Sequence, residues 1–251
     1  MPKISLQFEE GTAPQDLEEL HRQFLNFLSL DVNKWREPQH FELSETAQIK
    51  IFGEAIAIPK ALRALNDWIC CWEQRDEFAS FSVSGFYVAA FCRGDVDFSA
   101  LSRLATLTSL WIHDSSSLND LSGLCTLTSL TSLHIKGCNS LSDLSGLSAL
   151  TSLMSLVVLD CNSLYGLPNA TSLTSLDIRN CPSLIDLSGL SASTSLTDLI
   201  ITKCDSLTDL SGLSASTSLT RLKIWSCDSL SNLSGRPNTP SLTSLEIRNC
   251  P

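Results

Sequence analysis

The sequence predicts an α/β solenoid, a coil of short parallel strands preceded by an α/β domain. Three observations predict it. Cysteine recurs at Cys138, Cys161, Cys181, Cys204, Cys227 and Cys250, in steps of 23, 20, 23, 23 and 23 residues. Each cysteine closes a similar segment, such as LTSLDIRNCPSLIDLSGL at 173–190 and LTDLIITKCDSLTDLSGL at 196–213. Within each segment two apolar residues are separated by one position, as in Leu176-x-Ile178, the period of a strand. Stepping backwards by 23 reaches Ser115 and then Cys92. A repeat of this length marks a solenoid, whose extended surfaces suit binding better than deep reactive pockets do.

The chain opens on a region without the repeat. Ile4–Glu9 reads as a strand, and Thr12 is placed to cap a helix from about Pro14 to Leu28, with Leu17, Leu20, Phe24 and Phe27 on one face. Gln48–Phe52 reads as a second strand. Pro59 opens a second helix carrying Leu62, Leu65, Trp68, Ile69 and Trp72 at helical spacing. Phe78–Phe91 alternates as a strand, and its Tyr87-x-Ala89 falls on the strand position of the repeat lattice. This segment is therefore expected to be the first rung of the sheet, with residues 1–85 forming an α/β cap over the apolar end of the coil.

Residues 86–251 then form about seven repeats of 23 residues, the expected strands being Leu110–Ile112, Leu133–Ile135, Leu156–Val158, Leu176–Ile178, Leu199–Ile201, Leu222–Ile224 and Leu245–Ile247. One unit buries about seven apolar side chains, at ~1.5–3 kcal/mol each. Ordering its backbone costs ~1–2 kcal/mol per residue. A single unit therefore cannot fold alone, and stacking closes the gap. Asp120, Asp143, Asp186 and Asp209 each precede Leu-Ser-Gly-Leu, where they are expected to cap a short helical turn on the back of the coil. The alternative, an acidic ladder for cations, lacks the Gly-Gly-x-Gly-x-Asp calcium pattern.

Aligned on cysteine, the unit L-x-x-L-x-Ile-x-x-Cys-x-Ser-Leu-x-Asp-Leu-Ser-Gly-Leu resembles the leucine-rich repeat, and most closely the internalin type, with cysteine in place of the ladder asparagine. It departs from that pattern in having two residues between Cys and the next Leu, as in CNSL at 138–141. The resemblance implies a right-handed coil with a parallel concave sheet, and a binding scaffold rather than an enzyme.

Composition narrows the function. The formal net charge is −10, with nine Lys/Arg against fifteen Asp/Glu up to Val96 and eight against twelve afterwards. That balance argues against nucleic acid as partner, since phosphate neutralisation dominates such binding. MPKISLQFEEG has no apolar core of a signal peptide, and no stretch approaches the ~18–20 apolar residues of a membrane span. The expected location is the cytoplasm, or outside the cell by a route that needs no signal. The cysteine ladder is expected to be reduced and buried, its thiols donating weakly to turn carbonyls, because side chains stacked in register point the same way and bridge poorly. No Cys-x-x-Cys pair or Cys/His cluster gathers metal ligands, and neither a metal nor a cofactor is expected.

The residues that vary from repeat to repeat suggest the working surface. Between the two inward strand positions stand Trp111, His134, Val157, Asp177, Ile200, Lys223 and Glu246, and the next outward column reads His113, Lys136, Leu159, Arg179, Thr202, Trp225 and Arg248. Strand alternation points both columns away from the core. Six of the eight Lys/Arg after Val96 lie on or beside this face: Lys136, Arg179, Lys203, Arg221, Lys223 and Arg248. Exposed aromatics and arginine favour protein interfaces. The expected function is recognition of a protein partner on the concave face by Val157, Leu159, Arg179, Ile200, Lys223 and Trp225, with Trp111, His134 and Lys136 extending the contact.

Other readings stand beside this one. SLTSLDIRNCP at 172–182 and SLTSLEIRNCP at 241–251 are near-identical, so duplication followed by drift on a solvated face also accounts for the pattern. An enzyme or effector would need chemistry in the N-terminal part, where Cys70, Cys71, His21 and His40 are the candidate Cys–His pair. The CWEQRD segment at 71–76 faintly resembles the C-x-D nucleophile of bacterial ubiquitin-ligase effectors, but Glu73 replaces the aspartate. Core packing of both cysteines in the Trp-rich helix is the preferred assignment. At the other end Leu242, Leu245 and Ile247 are expected to be left uncovered. Either the sequence is a fragment of a longer chain or this edge pairs with something, a second copy included, the basis of a structural-array reading.

Overall fold

A computed structural model of the chain describes residues 107–116, 118–233 and 240–251, together with the backbone of the strands that precede them. Those earlier strands are β1 (Lys3–Glu9), β2 (Leu43–Ser44), β3 (Ala47–Gly53) and β4 (Val83–Ala90). The expected helices over 14–28 and from Pro59, and with them His21, His40, Cys70 and Cys71, lie outside the described residues. The repeats contribute β5 (Ser109–His113), β6 (Ser132–Lys136), β7 (Ser155–Leu159), β8 (Ser175–Arg179), β9 (Asp198–Thr202), β10 (Arg221–Trp225) and β11 (Ser244–Arg248).

All the described strands join one sheet in the order β11-β10-β9-β8-β7-β6-β5-β4-β3-β1-β2. From β3 to β11 every neighbouring pair is parallel, while β1 runs antiparallel to β3. From β5 onwards the pairing is one to one, Leu110 with Leu133, Leu133 with Leu156, and so on to Leu222 with Leu245. The register holds even between β7 and β8, where the turn is three residues shorter than the others, since Leu156 still faces Leu176.

One expectation is corrected at β4. The 23-residue lattice places Tyr87 and Ala89 in the inward columns, but the ladder pairs Phe86 with Leu110, Tyr87 with Trp111, Val88 with Ile112 and Ala89 with His113. The step from β4 to β5 is therefore 24 residues, and a slip of one reverses the face of every position in a strand. Tyr87 and Ala89 stand at outward register positions, and Cys92 lies outside the described residues.

The core is a stack of columns, each receiving one buried residue per turn. The inward strand residues Leu110, Leu133, Leu156, Leu176, Leu199 and Leu222 are buried, as are the Ile/Val two positions on. Two strand residues alone cannot close a turn. Leu118, Leu141, Leu164, Leu184, Leu207 and Leu230 fill the side of the coil, and Leu124, Leu147, Leu190 and Leu213 fill its back. The back is built from three-ten turns at Ser122–Leu124, Ser145–Ala149, Ser188–Leu190 and Ser211–Leu213. Their tight winding suits a turn of a few residues, and its orphan N–H groups need acceptors.

The aspartates supply those acceptors one position earlier than a conventional cap. The residue flanking each turn is leucine, and the preceding aspartate accepts the first N–H of the turn: Ser122 to Asp120 and Ser188 to Asp186 at 2.8 Å, Ser211 to Asp209 at 2.8 Å, and Ser145 to Asp143. The Ser122 hydroxyl, together with its N–H, holds the Asp120 carboxyl below the usual carboxylate range, and Ser211 does the same for Asp209. Glycine is required behind them for space. A β-carbon on Gly189 would overlap the carbonyl oxygen of Leu167, and one on Gly146 would lie 2.9 Å from the Ser122 nitrogen.

Candidate functional site

Each strand leaves the sheet through a residue in the left-handed region: Asp114, Gly137, Asp160, Asn180, Lys203, Ser226 and Asn249, with φ between 53° and 68°. Asp, Asn and Gly enter that region readily, whereas Lys203 and Ser226 do so at a cost. The kink turns the chain so that the next residue, the ladder cysteine, points inward. The Cys138, Cys161, Cys181, Cys204 and Cys227 side chains are buried and unbridged. Each thiol donates to the carbonyl two residues back, for example Cys161 to Leu159 at 3.4 Å and Cys181 to Arg179 at 3.5 Å. The same carbonyls accept an N–H from the preceding turn, Gly137 to Leu159 and Asp160 to Arg179, both at 2.9 Å. The thiols are thus weak donors to turn carbonyls, as the spacing predicts.

Burial pushes the Cys204 thiol up to about 12 and the Cys227 thiol to about 11. Cys138 and Cys181 are raised too, first by hydrogen bonding to the Cys161 sulfur between them and then by burial. Cys161, which accepts from both neighbours, is shifted the other way, while thiols held protonated inside a core, as Cys204 and Cys227 are, make poor nucleophiles and poor metal ligands. Among the described residues no group of three or more His, Cys, Asp or Glu is placed to hold a metal ion.

With the inward columns committed to packing, chemistry is left to the opposite face of the sheet. Strand pairing sets Trp111, His134, Val157, Asp177, Ile200, Lys223 and Glu246 side by side in one row. His113, Lys136, Leu159, Arg179, Thr202, Trp225 and Arg248 form the parallel row. All of them reach solvent, and Lys136, Arg179 and Arg248 are exposed. The topology therefore brings every predicted site residue onto one continuous surface.

The pairings across that surface divide it into three zones. On β5 and β6 the rings of His113 and His134 meet edge to face, with centroids 5.0 Å apart. Burial lowers both imidazole pKa values, with a further push from the neighbouring His134 on His113 and from Lys136 on His134. In the middle Val157, Leu159 and Ile200 are half-buried, but they do not form an unbroken apolar patch. Asp177 and Arg179 lie between them, joined by a two-pronged ion pair with Nε to Oδ1 at 2.8 Å and Nη2 to Oδ2 at 2.7 Å. Towards the C-terminus Arg221 on β10 grips Asp198 on the preceding strand β9 with both prongs of its guanidinium. Beside that pair, the single carboxylate of Glu246 is shared between Lys223 at 3.1 Å and Arg248 at 3.3 Å. Lys223 Nζ and the Arg248 guanidinium both lie 5.6 Å from the Trp225 ring centroid.

Sequence reasoning did not find the role of Asp198 or the division of Glu246 between two cations. The signal was present, because opposite charges at equivalent positions of neighbouring repeats must face each other once the strands pair in register.

No family model matches the chain, and no curated protein matches its sequence. Solved structures do match its fold. The internalin InlF of Listeria monocytogenes aligns over 94% of this chain and 69% of its own, at 22% identity and a TM-score of 0.51. The leucine-rich repeat domain of the type III effector XopL aligns over 96% of this chain and 90% of its own, at 18% identity and a TM-score of 0.58. The functional domain of InlJ from Listeria monocytogenes, which includes a cysteine ladder, aligns over 68% of this chain and 48% of its own, at 16% identity and a TM-score of 0.32. The likeness to InlF and XopL is one of fold: the chain is a leucine-rich repeat solenoid.

Proposed function

We propose that this leucine-rich repeat solenoid is a recognition scaffold that binds a partner protein on the outward, concave face of its sheet. The observation that carries the reading is the contrast between the two sides of the same strands. Inward, Leu and Ile recur at nearly every rung. Outward, the rungs carry Trp111, His134, Val157, Asp177, Ile200 and Lys223, side chains with almost nothing in common. Each outward position reaches solvent on a rigid strand, and rigid display of varied side chains favours recognition by lowering the ordering cost of binding. In this reading residues 1–85 cover the N-terminal end of the coil, supported by the continuation of the parallel sheet from β5 into β4 and β3.

The test is affinity capture from an extract of the source organism, comparing wild type with an Arg179→Glu, Trp225→Ala variant of equal thermal stability. A partner retained by wild type and lost by the variant supports the outward face as the working surface. Equal capture by both moves the function to another surface.

A second reading has its own observation. Leu245 is 44% exposed while Leu222, its neighbour in the same column, is fully buried. Another strand would cover the outer edge of β11, supplied either by a continuing chain or by a second copy. Sedimentation at rising concentration checks this, and an unchanged monomer mass rules the edge out as a self-association site.

A further inference from the structure

The outward face has a charge balance opposite to that of the molecule. Across β5–β11 the outward strand positions carry five Lys/Arg and three Asp/Glu, on a chain of net charge −10. The excess is unevenly placed. Arg179 is taken up by Asp177 and Arg221 by Asp198, each through both prongs of the guanidinium. Lys223 and Arg248 have one carboxylate between them, that of Glu246. Both cations also flank Trp225, whose indole Nε1–H is buried without a hydrogen-bond partner among the described residues. Two cations and an aromatic plane thus converge where the neighbouring protein charge answers only half of the positive charge.

Resting on the recognition reading above, we propose that the Lys223–Trp225–Arg248 cluster receives an aspartate or glutamate side chain from an acidic segment of the partner polypeptide. Glu246 already illustrates the binding mode, since its carboxylate sits between Lys223 and Arg248 at ion-pair distance. The incoming carboxylate takes the second half of that positive charge, with the indole ring as a floor for the adjoining chain. A polypeptide with a few carboxylates fits this surface better than a nucleic acid. Phosphate backbones are bound by many cations acting together, and the excess over this face is two, one at the cluster and one at Lys136, on a strongly acidic molecule.

The experiment is selection of peptides from a random 12-residue display library on the full chain, with counter-selection on a Lys223→Met variant. Selected peptides are then synthesised with and without Asp→Asn and Glu→Gln replacement. The expected result is enrichment of acidic peptides that bind about tenfold weaker as amides or to Lys223→Met, as for loss of one charge-assisted contact. Glu246→Gln, which removes the competing carboxylate, should tighten binding. Peptides whose binding is abolished by Val157→Asp but unaffected by Lys223→Met and by amidation would overturn the inference and leave the recognition face standing. Selection of no peptide sensitive to any outward-face variant would overturn both. Displacement of the acidic peptide by a twelve-nucleotide single strand at lower concentration than by the peptide itself would also overturn it, in favour of phosphate.

Discussion

A methyl group on Gly212 would overlap the carbonyl oxygen of Leu187 in the preceding turn, because the two three-ten turns meet there backbone against backbone. Gly212 is itself buried, so nothing yields by swinging into solvent. Gly212→Ala is expected to destabilise the coil by about 1–3 kcal/mol, the usual cost of overpacking. Gly166→Ala meets only the Asp143 carboxylate, at 3.1 Å, and should cost less. Urea unfolding midpoints of the two variants separate these outcomes, and equal losses would contradict the close approach.

Ser193 and Ser216 occupy the core column that holds Leu127 and Leu150 in earlier turns, and both are fully buried. The Ser193 hydroxyl donates to the Ala170 carbonyl at 3.0 Å, whereas that of Ser216 has no partner among the described residues. Ser216→Ala should therefore stabilise by roughly 1 kcal/mol, while Ser193→Ala should destabilise by about as much. Thermal melts of both decide it, and a loss of stability for Ser216→Ala would show that its hydroxyl is satisfied.

The ladder thiols predict a loss of stability in alkali. In the folded chain Cys204 titrates at about 12 and Cys227 at about 11, against 9.0 for an unburied thiol. Their contribution is complete below pH 9, where folded and unfolded chains are both protonated. It is lost as pH rises from 9 through the folded values, because the unfolded chain ionises first. The slope is about 1.4 kcal/mol per pH unit for each thiol. Unfolding midpoints at pH 8 and pH 10 should fall further apart for wild type than for Cys204→Ala. Equal differences would show that the buried thiols are not the source.

The imidazoles act at the other end of the scale. Burial lowers the pKa of His113 and His134 in the folded state from an ordinary 6.5. Asp114 opposes this at His113 and Asp177 at His134, while Lys136 reinforces it at both. The stability they permit is present above pH 6.5 and is lost as pH falls through the lowered values, since the unfolded chain takes up protons first. His134→Gln should retain more of its stability at pH 5 relative to pH 7 than wild type does, as read from urea midpoints.

Two of the left-handed positions carry residues ill suited to them. Lys203→Asn and Ser226→Asn should each raise stability by a few tenths to about 1 kcal/mol, since asparagine enters that region more easily. The same change at Arg248, within the strand, should bring no gain. Chemical denaturation of the three variants checks the comparison.

The period of the cysteines makes the repeats legible, and strand alternation alone sorts Leu176 and Ile178 inward from Asp177 and Arg179 outward. What stayed hidden depended on how one turn meets the next. The 24-residue step into β4 could not be read from a 23-residue lattice, because nothing in VSGFYVAA distinguishes the face of Phe86 from that of Tyr87. The left-handed residue before each cysteine was masked by its variety, Lys203 and Ser226 giving no hint of a positive φ. The threonines before the strands formed another unseen ladder, with the Thr197 and Thr220 hydroxyls each donating to the carbonyl one turn back at 2.9 Å. The step into β4 and the threonine ladder are relations between residues 23 or 24 positions apart, which local pattern reading does not reach. A positive φ at Lys203 or Ser226 is set by the turn rather than by the residue type.

The short turn between β7 and β8 has a consequence for measurement along the coil. Three residues are missing, yet Leu156 still pairs with Leu176 and Leu159 with Arg179. Length can therefore be gained or lost on the back without moving the outward rungs, which hydrogen bonding fixes about 4.8 Å apart. From β5 to β11 the face is a ruler of about 29 Å by that spacing. A partner segment lying along it in extended form would need about nine residues to touch every rung. Its side chains, advancing about 3.3 Å per residue, would fall in and out of step with the rungs, so only some of them could be read.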